Sequence, residues 1–359
     1  MPDLGTVPLL YNARPRLTVD GTAQPDLDAG LMALTIEEDF DGMARCEATF
    51  GNWGTASGGI GFLYFDRALL DFGTPLRIAI GGGQGAGAVF EGRISGIEGR
   101  FPKSRPPEVL VLAEDRLQDL RKTRRTRVFE EASAEDVIRA VAQDHGLTPN
   151  TDIEGPTMPI VAQLNQSDLA FLRTVAANVG AEIWVRGDSL FAQSRANRPT
   201  DPIVLTYGQG LHEMRLCADL AHQCSKLVVG GWDPGAKEAV ESEAGPDSLS
   251  GESEGDTGSS VLDAAIGEKV ERVIHPLPIS TAEGDALAGA EYRRRARRFV
   301  SGDGIAEGDS RISVGSALTF QGLGPMFDGD FTVTSVRHVF DLERGYQTEF
   351  SVERPWIGS

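Results

Sequence analysis

The stretch QLNQSDLAFLRTVAANVGAEIWVRGDSLFAQ, residues 163–193, decides the fold. Ser167 is a helix N-cap residue, and Leu169, Leu172, Val175, Ala176 and Val179 after it share one face at helical spacing. Gly180 ends the run, because glycine takes the left-handed conformation of a helix C-cap without a Cβ penalty. Behind it, residues 182–185 and 189–193 read as two strands turning at Gly187 and Asp188. Arg186-Gly187-Asp188 spells an integrin-type tripeptide, but it stands where the hairpin needs turn residues. Upstream, SAED at 133–136 places a hydroxyl three residues before an acid, and Val137, Ile138 and Val141 follow on one face before Gly146. That pattern predicts a helix of about 13 residues. Residues 121–200 are therefore expected to form a small α+β domain.

On both sides of this domain the period changes from helical to alternating. Residues 16–20, 31–37, 45–51, 76–80, 88–97 and 108–112 read as short strands bounded by Gly, Pro and Asp, the signature of an antiparallel sheet with one solvated face. Residues 1–120 are expected to be one β domain and 201–359 another, with strands near 203–207, 225–229, 317–320, 331–340 and 346–353. Within the latter, STAE at 280–283 opens a helix over 281–300. Residues 234–260 hold five Gly, six Ser, two Pro and seven acids against one Lys. So little apolar surface predicts a mobile acidic loop.

The two β regions echo each other. Gly73, Leu76, Ile78 and Phe90-Glu91-Gly92 recur in order as Gly315, Leu318, Phe320 and Phe327-Asp328-Gly329. Six Gly and apolar positions are weak as statistics in any β protein, but they raise the expectation of a duplicated unit.

The 359 residues carry a net charge of −19, with 40% hydrophobic and 24% charged residues. This is the composition of an ordinary globular chain, and its charge repels nucleic acid and anionic membranes at long range. No sequence-specific nucleic acid and no stable membrane insertion are expected. No apolar run approaches the roughly 18 residues of a membrane span, and MPDLGTVPLL at the N-terminus lacks the basic region of a signal peptide. Cys46, Cys217 and Cys224 are an odd number in a long chain, which argues against a disulfide framework and for a reducing place of synthesis. Synthesis in the cytoplasm is expected.

Motifs for chemistry are weak. GGGQGAG at 81–87 is rich enough in glycine for a phosphate cradle, but AVFEGRISG after it reads as a strand, so a hairpin turn is expected. His212, Cys217, His222 and Cys224 lie close in sequence, with His222 and Cys224 placed to share a strand face, yet their spacing matches no standard zinc site. His145, His275 and His338 lack a nucleophile nearby in sequence. No catalytic, metal or cofactor-binding residue is assigned. Five of the seven residues at 121–127 are basic, and Arg293, Arg294, Arg295, Arg297 and Arg298 form a second cluster. Without interleaved aromatics, Arg121, Arg124, Arg125, Arg127, Arg293, Arg294, Arg297 and Arg298 are candidates for contact with acidic protein surfaces.

Residues 163–193 resemble a segment of the phage late control D and VgrG-type baseplate hub family. There a Gln-x-Asn-x-Ser-Asp-x-x-Phe-Leu helix ends in Gly before an aromatic strand. Asn165, Ser167, Asp168, Phe171, Leu172, Gly180 and Trp184 stand at the matching positions. RRTRVFEEASAEDVI at 124–138, VVGGWDPGAK at 228–237 with Trp232, and GLGPMFDGDFTVTSVRHVFDLERGYQTEF at 322–350 follow the family's order. The last resembles its closing hairpin, through Gly329, Phe331, Val336, His338, Phe340, Gly345, Tyr346, Thr348 and Phe350. These positions read as structural.

The resemblance implies a mainly β chain with an inserted α+β domain and two tube-like antiparallel β-barrels, assembling as a pseudo-six-fold trimeric ring. It implies a non-enzymatic structural hub of a contractile injection machine, a phage tail or an extracellular phage-like particle, joining the six-fold tail tube to the three-fold spike. The implied partners are two further copies of the chain, a trimeric spike protein, tail tube or tube-initiator proteins, baseplate wedge proteins, and a tape-measure protein or cargo in the lumen. The chain ends straight after the closing hairpin, so the spike is expected to be a separate protein, and the segment 234–260 has no counterpart role. Two other readings stand beside this one. A hydrolase with a spatially assembled site would show a deep pocket with convergent His, Asp or Cys. A monomeric surface-binding module would expose an aromatic platform, which four Trp and five Tyr make sparse.

Overall fold

Short strands whose apolar residues alternate with polar ones must bury one face, and here they do so against each other in a continuous 13-stranded sheet. The computed structural model describes residues 14–358 except 41, 57–58, 82–86, 199–200, 250 and 275–276. Six strands form the N-terminal unit: β1 (Arg16–Val19), β2 (Leu31–Asp39), β3 (Arg45–Gly51), β4 (Pro75–Ile80), β5 (Gly87–Arg100) and β6 (Glu108–Glu114). Their order in the sheet is β1-β4-β5-β6-β3-β2. Ile80 pairs with Gly87, so the glycine-rich segment joins two antiparallel strands as expected, although residues 82–86 lie outside the described residues.

The inserted segment contains β7 (Arg124–Ala132), α1 (Ala134–Asp144), β8 (Thr148–Asp152), β9 (Met158–Ser167), α2 (Asp168–Asn178), β10 (Ala181–Arg186) and β11 (Ser189–Ser194). Both helices start where their caps predict. Ser133 and Asp136 form a complete capping box, and the Ser167 hydroxyl accepts from the Ala170 amide. The hairpin β10–β11 turns at Gly187 and Asp188. The long antiparallel pair of β7 with β9, which encloses α1 and β8, was not foreseen, because the basic run 121–127 masks its alternation.

The C-terminal part begins with β12 (Ile203–Tyr207) and β13 (Gly210–Ala218) and passes into a lobe. The lobe comprises β14 (Lys226–Asp233), β15 (Glu238–Ala244), α3 (Gly258–Ala265), β16 (Val270–Val273) and α4 (Thr281–Ala296). The chain then returns through β17 (Val300–Glu307), β18 (Ala317–Gln321), β19 (Gly329–Asp341) and β20 (Gly345–Arg354). Two expectations are corrected in the lobe. Residues 234–260 are not a bare loop, because Val240, Ser242 and Ala244 alternate inward on β15, Leu249 is buried, and α3 starts at Gly258. Averaged composition hid that period of two, since the excess acid lies on the other face of the strand. Likewise Cys224 precedes β14 in a turn, and His222 shares no strand with it.

Strands β12, β13, β17, β18, β19 and β20 close into a six-stranded barrel through the pairing of β12 with β13. Its connectivity repeats that of the N-terminal unit: strand one pairs with four, four with five, five with six, six with three and three with two. The repeat extends to registers. Both second strands carry an irregularity two residues into the ladder, after Leu31 and after Leu211, and both fifth strands carry one, after Ile94 and after Val333. In the first unit β1 pairs antiparallel with β4, whereas β12 runs parallel to β18, and no pairing closes the first unit among the described residues.

Structure corrects the sequence echo in one respect. Leu76 lies opposite Gly92 and Leu318 opposite Phe331, so Phe331, not Gly329, is the counterpart of Gly92. The two units are joined within the chain by antiparallel pairing of β2 with β19, from Ala33–Asp341 to Asp39–Ser335. Strands make up 50% of the chain and helices 19%, which makes it mainly β. No helix among the described residues is long and apolar enough to cross a membrane.

Candidate functional site

The Gln-x-Asn-x-Ser-Asp run builds an anchor, not a reactive centre. Asn165 adopts a left-handed φ of 48°, its amide donates to Thr126 Oγ1 (3.2 Å), and its carbonyl accepts from Arg124 Nη1 (2.9 Å). This kink at the end of β9 brings Asp168 inside, where it is fully buried. Its carboxylate meets His145 Nε2 at 2.7 Å and accepts from Gln163 Nε2 at 2.9 Å and Arg127 Nη2 at 3.0 Å, with Arg125 Nε at 3.4 Å. Burial alone would raise its pKa, but the hydrogen bonds and the two guanidinium charges outweigh burial and hold it below the usual carboxylate range. Arg127 also lies over the Phe129 ring, which stacks on Phe171, and Leu172 is buried beneath. His145 and Asp168 are the elements of a catalytic dyad, yet no Ser, Thr or Cys side chain bonds to His145 among the described residues.

A second charge network rivets the inserted segment to both β units. Arg195, just after β11, bridges Glu182 on β10 (3.0 Å) and Glu353 on β20 (2.8 Å), and its guanidinium stacks on Phe40. Burial disfavours the Arg195 charge, but the two carboxylates outweigh burial and raise its pKa. Arg198 binds Glu182 Oε2 (2.9 Å), donates to the Val314 carbonyl and covers the Trp184 ring, which stacks on Phe191. On the N-terminal side Arg186 forms a two-pronged pair with Glu38. Gly42 is required there, because a Cβ would lie 1.9 Å from the Ile183 carbonyl oxygen. Beside this contact burial pushes Asp115 up to about 7, although its carboxylate accepts the Ala44 and Leu117 amides.

The closing hairpin is fixed by buried polar groups. His338 Nδ1 hydrogen-bonds to Tyr346 Oη at 2.8 Å, Phe340 is buried beside them, and burial lowers the imidazole pKa to about 4. Arg354 lies between the Phe331 and Trp356 rings and donates to the Asp328 and Met326 carbonyls, with Gly329 close against Trp356. Trp232, by contrast, is exposed on β14.

The candidate contact arginines divide. Arg121 holds Glu114, Arg125 and Arg127 hold Asp144 and Asp168, Arg294 holds Glu291, and Arg297 holds Glu252 with two bonds of 2.7 Å. Arg124 caps a carbonyl, and Arg293 is half-buried beside Gly180, its pKa lowered by burial and by the neighbouring Arg297 charge. Arg298 is exposed.

A cavity of about 800 Å³ forms an open cleft over β2, β13, β17, β19 and β20 with α2 at one side. Carboxylates such as Glu37, Glu213 and Asp303 alternate on its walls with Arg45, Arg215 and Arg337. Arg337 already spans Glu37 and Glu349 at 2.9 Å each. Neither His nor Cys lines it, and no group of three or more metal-ligating side chains assembles among the described residues.

One surface feature escaped the sequence. Trp53, Phe62, Phe65 and Phe101 form an aromatic corner with ring centroids 5.2–6.2 Å apart, and Trp53 and Phe101 are 47% and 66% exposed. Counting Trp and Tyr overlooked it, because three of the four rings are Phe, and no strand had been assigned between residues 52 and 75.

The architecture is thus a continuous two-unit sheet with an inserted α+β arm riveted to both units by ion pairs. The chain belongs to the Alg8 N-terminal domain family, whose model matches residues 16–341. No curated protein matches it in sequence. Among solved structures it is similar to the 43 kDa tail protein of prophage MuSo2 from Shewanella oneidensis, with a TM-score of 0.68 at 14% identity over 95% of this chain and 98% of that one. The tail protein of Neisseria meningitidis MC58 gives 0.68 at 14% identity over 96% and 98%. The E. coli c3393 protein, described as a component of the type VI secretion system similar to the T4 tail proteins gp27 and gp5, gives 0.58 at 13% identity over 94% and 76%. These likenesses are of fold, and they fall among tail and VgrG-type proteins of the kind that residues 163–193 resemble.

Proposed function

We infer that the chain is a non-enzymatic structural component of a phage tail or phage-like injection machine, and specifically its baseplate hub. One observation carries this reading: a single chain holds two six-stranded units with the same connectivity and the same ladder irregularities. Three such chains present six similar units to a six-fold tail tube while keeping true three-fold symmetry for a trimeric spike. In this reading residues 1–120 and 201–359 are the tube-like domains, the second unit completing its barrel alone and the first within the ring, and 121–200 is the arm between them. The ion pairs of Arg195 with Glu353 and of Arg186 with Glu38 suit a part that transmits force, since they tie the arm to both units, while the buried network at Asp168 stiffens the arm itself. Tube-initiator and wedge proteins bind the rim, tape-measure protein or cargo passes the lumen, and the particle is assembled in the bacterial cytoplasm.

The test is the solution mass of the purified chain by light scattering, alone and mixed with the spike and tube proteins encoded beside it. A mass near three chains in either case supports the hub. A monomer that ignores both partners overturns it.

A further inference from the structure

The structure leaves two strand edges open, and the internal repeat says what belongs on them. On β5, β4 occupies one edge only as far as Arg93, so that edge is free along residues 95–100 among the described residues. On β13, β12 pairs only at Gly210 and Leu211, leaving residues 213–218 free on that edge. The repeat maps β5 onto β19 and β13 onto β2: Ile94 matches Val333, Gly96 matches Ser335, Leu31 matches Leu211 and Ala33 matches Glu213. Within the chain, the corresponding edges of β19 and β2 are paired to each other.

We propose that β13 of one copy of this chain pairs antiparallel with β5 of a second copy, in the register of the internal β2–β19 ladder. This rests on the hub reading and deepens it by naming the surface that joins the copies. The transferred register places Asp219 opposite Gly96, Ala218 opposite Ile97, Cys217 opposite Glu98, Leu216 opposite Gly99 and Arg215 opposite Arg100. Phe101 then stands beside Met214.

Three properties of the transferred register agree with it. First, the faces match in phase. Ile97 and Phe101 meet Ala218 and Met214 on one side, and Glu98 and Arg100 meet Cys217 and Arg215 on the other, whereas a one-residue slip in either direction would set Phe101 against Glu213 or Arg215 and Leu216 against Glu98 or Arg100. Second, the counterpart of Phe101 is Phe340, which is 4% exposed and belongs to the core of the N-terminal unit across the β2–β19 ladder. Phe101 is 66% exposed and folds over Gly99 with Phe65, so the aromatic corner overlies the free edge and lacks only the neighbour that Phe340 has. Third, the facing arginines each find a carboxylate diagonally, Arg215 near Glu98 and Arg100 near Glu213, a separation long side chains span. The contact is head to tail, so in the ring of the hub reading each copy's β13 covers the next copy's β5 and neither of these two edges stays open.

Directly opposite residues in an antiparallel ladder have Cα atoms about 4.5–5.5 Å apart, within disulfide range. The native Cys217 therefore makes Glu98→Cys the test, oxidised mildly under the conditions in which light scattering finds the trimer, with spike and tube proteins added if they are needed. The expected result is covalent dimers and trimers on a non-reducing gel, absent from the wild type and from Glu98→Cys combined with Cys217→Ser, and at least tenfold weaker for Arg100→Cys. Phe101→Glu, at an exposed position, should keep the monomer folded and raise the concentration for half-assembly at least tenfold. A trimer by mass in which Glu98→Cys gives no link to Cys217, or in which Arg100→Cys gives the stronger one, overturns the pairing and leaves the hub reading intact. A monomer under all conditions overturns both.

Discussion

Gly73 and Gly315 are one residue in two copies of the same hairpin. Each has a left-handed φ, 78° and 82°, and each donates its amide to the strand-five residue just before the irregularity, Ile94 at 2.7 Å and Val333 at 2.8 Å. In return Ile94 donates to Thr74 and Val333 to Ser316. Their surroundings differ. A Cβ on Gly73 meets open space, whereas one on Gly315 would fall 2.2–2.5 Å from the Arg198 guanidinium. Gly73→Ala should cost about 1–2 kcal/mol, the penalty for a side chain in the left-handed region. Gly315→Ala should cost clearly more, because Arg198 must leave Val314 and Glu182. Urea denaturation of the two variants decides it, and equal losses would show that Arg198 is not clamped there.

Asp168 is the buried counter-charge of the anchor. Asp168→Asn keeps the shape but removes the buried charge that Arg127 and Arg125 share, leaving them only the half-exposed Asp144, and breaking a buried pair in this way costs about 3–5 kcal/mol. Arg121→Ala removes a half-exposed pair with Glu114 and should cost under about 1 kcal/mol. Thermal unfolding of both variants tests the contrast. Similar losses would remove Asp168 from its central place.

Arg195 joins the inserted arm to β20. Arg195→Met should destabilise by about 3 kcal/mol by stranding the buried Glu353, and adding Glu353→Gln should recover part of that loss. Additive losses in the double variant, read by urea unfolding, would mean the two side chains are not coupled.

His338 gives the protein an acid-side weakness. Burial lowers its pKa to about 4, so between roughly pH 6.5 and 4 the unfolded chain binds a proton that the folded chain refuses. Stability contributed by the neutral imidazole is present above that window and lost as pH falls through it, by at most about 3 kcal/mol. Asp115, pushed up to about 7, works in the opposite sense over an overlapping range. The comparison is therefore the difference between wild type and His338→Gln, whose unfolding free energy should fall less steeply below pH 6.5. Parallel pH curves would rule out the assignment.

Caps and periods made much of this fold legible. Ser133, Ser167 and Ser280 each start a helix where a hydroxyl precedes an apolar face, because capping is a local matter between one side chain and the next turn's amides. The helix opened by Ser280 stops at Ala296, short of residue 300, where the chain turns into the buried strand β17. Strand β13 and the β7–β9 pair were missed because charged and polar side chains on their exposed faces blur a period of two. The candidate arginines were visible as clusters, but that Arg125, Arg127, Arg294 and Arg297 hold carboxylates of their own chain depends on folding partners up to 45 residues away.

By itself the sequence determined the alternation of β, α+β and β regions and the starts of the helices capped by Ser133, Ser167 and Ser280, and through residues 163–193 it pointed to the fold family, because these rest on local propensity and on spacing along the chain. Only the tertiary structure decided that Gly73 and Gly315 are counterparts while Phe90 and Phe327 are not. The same holds for Asp168 and Arg195 as buried charge centres, and for Phe101 standing exposed where Phe340 is covered. Register, burial and counter-charge are properties of pairs distant in sequence, and a strand's partner is fixed only when the whole sheet has closed.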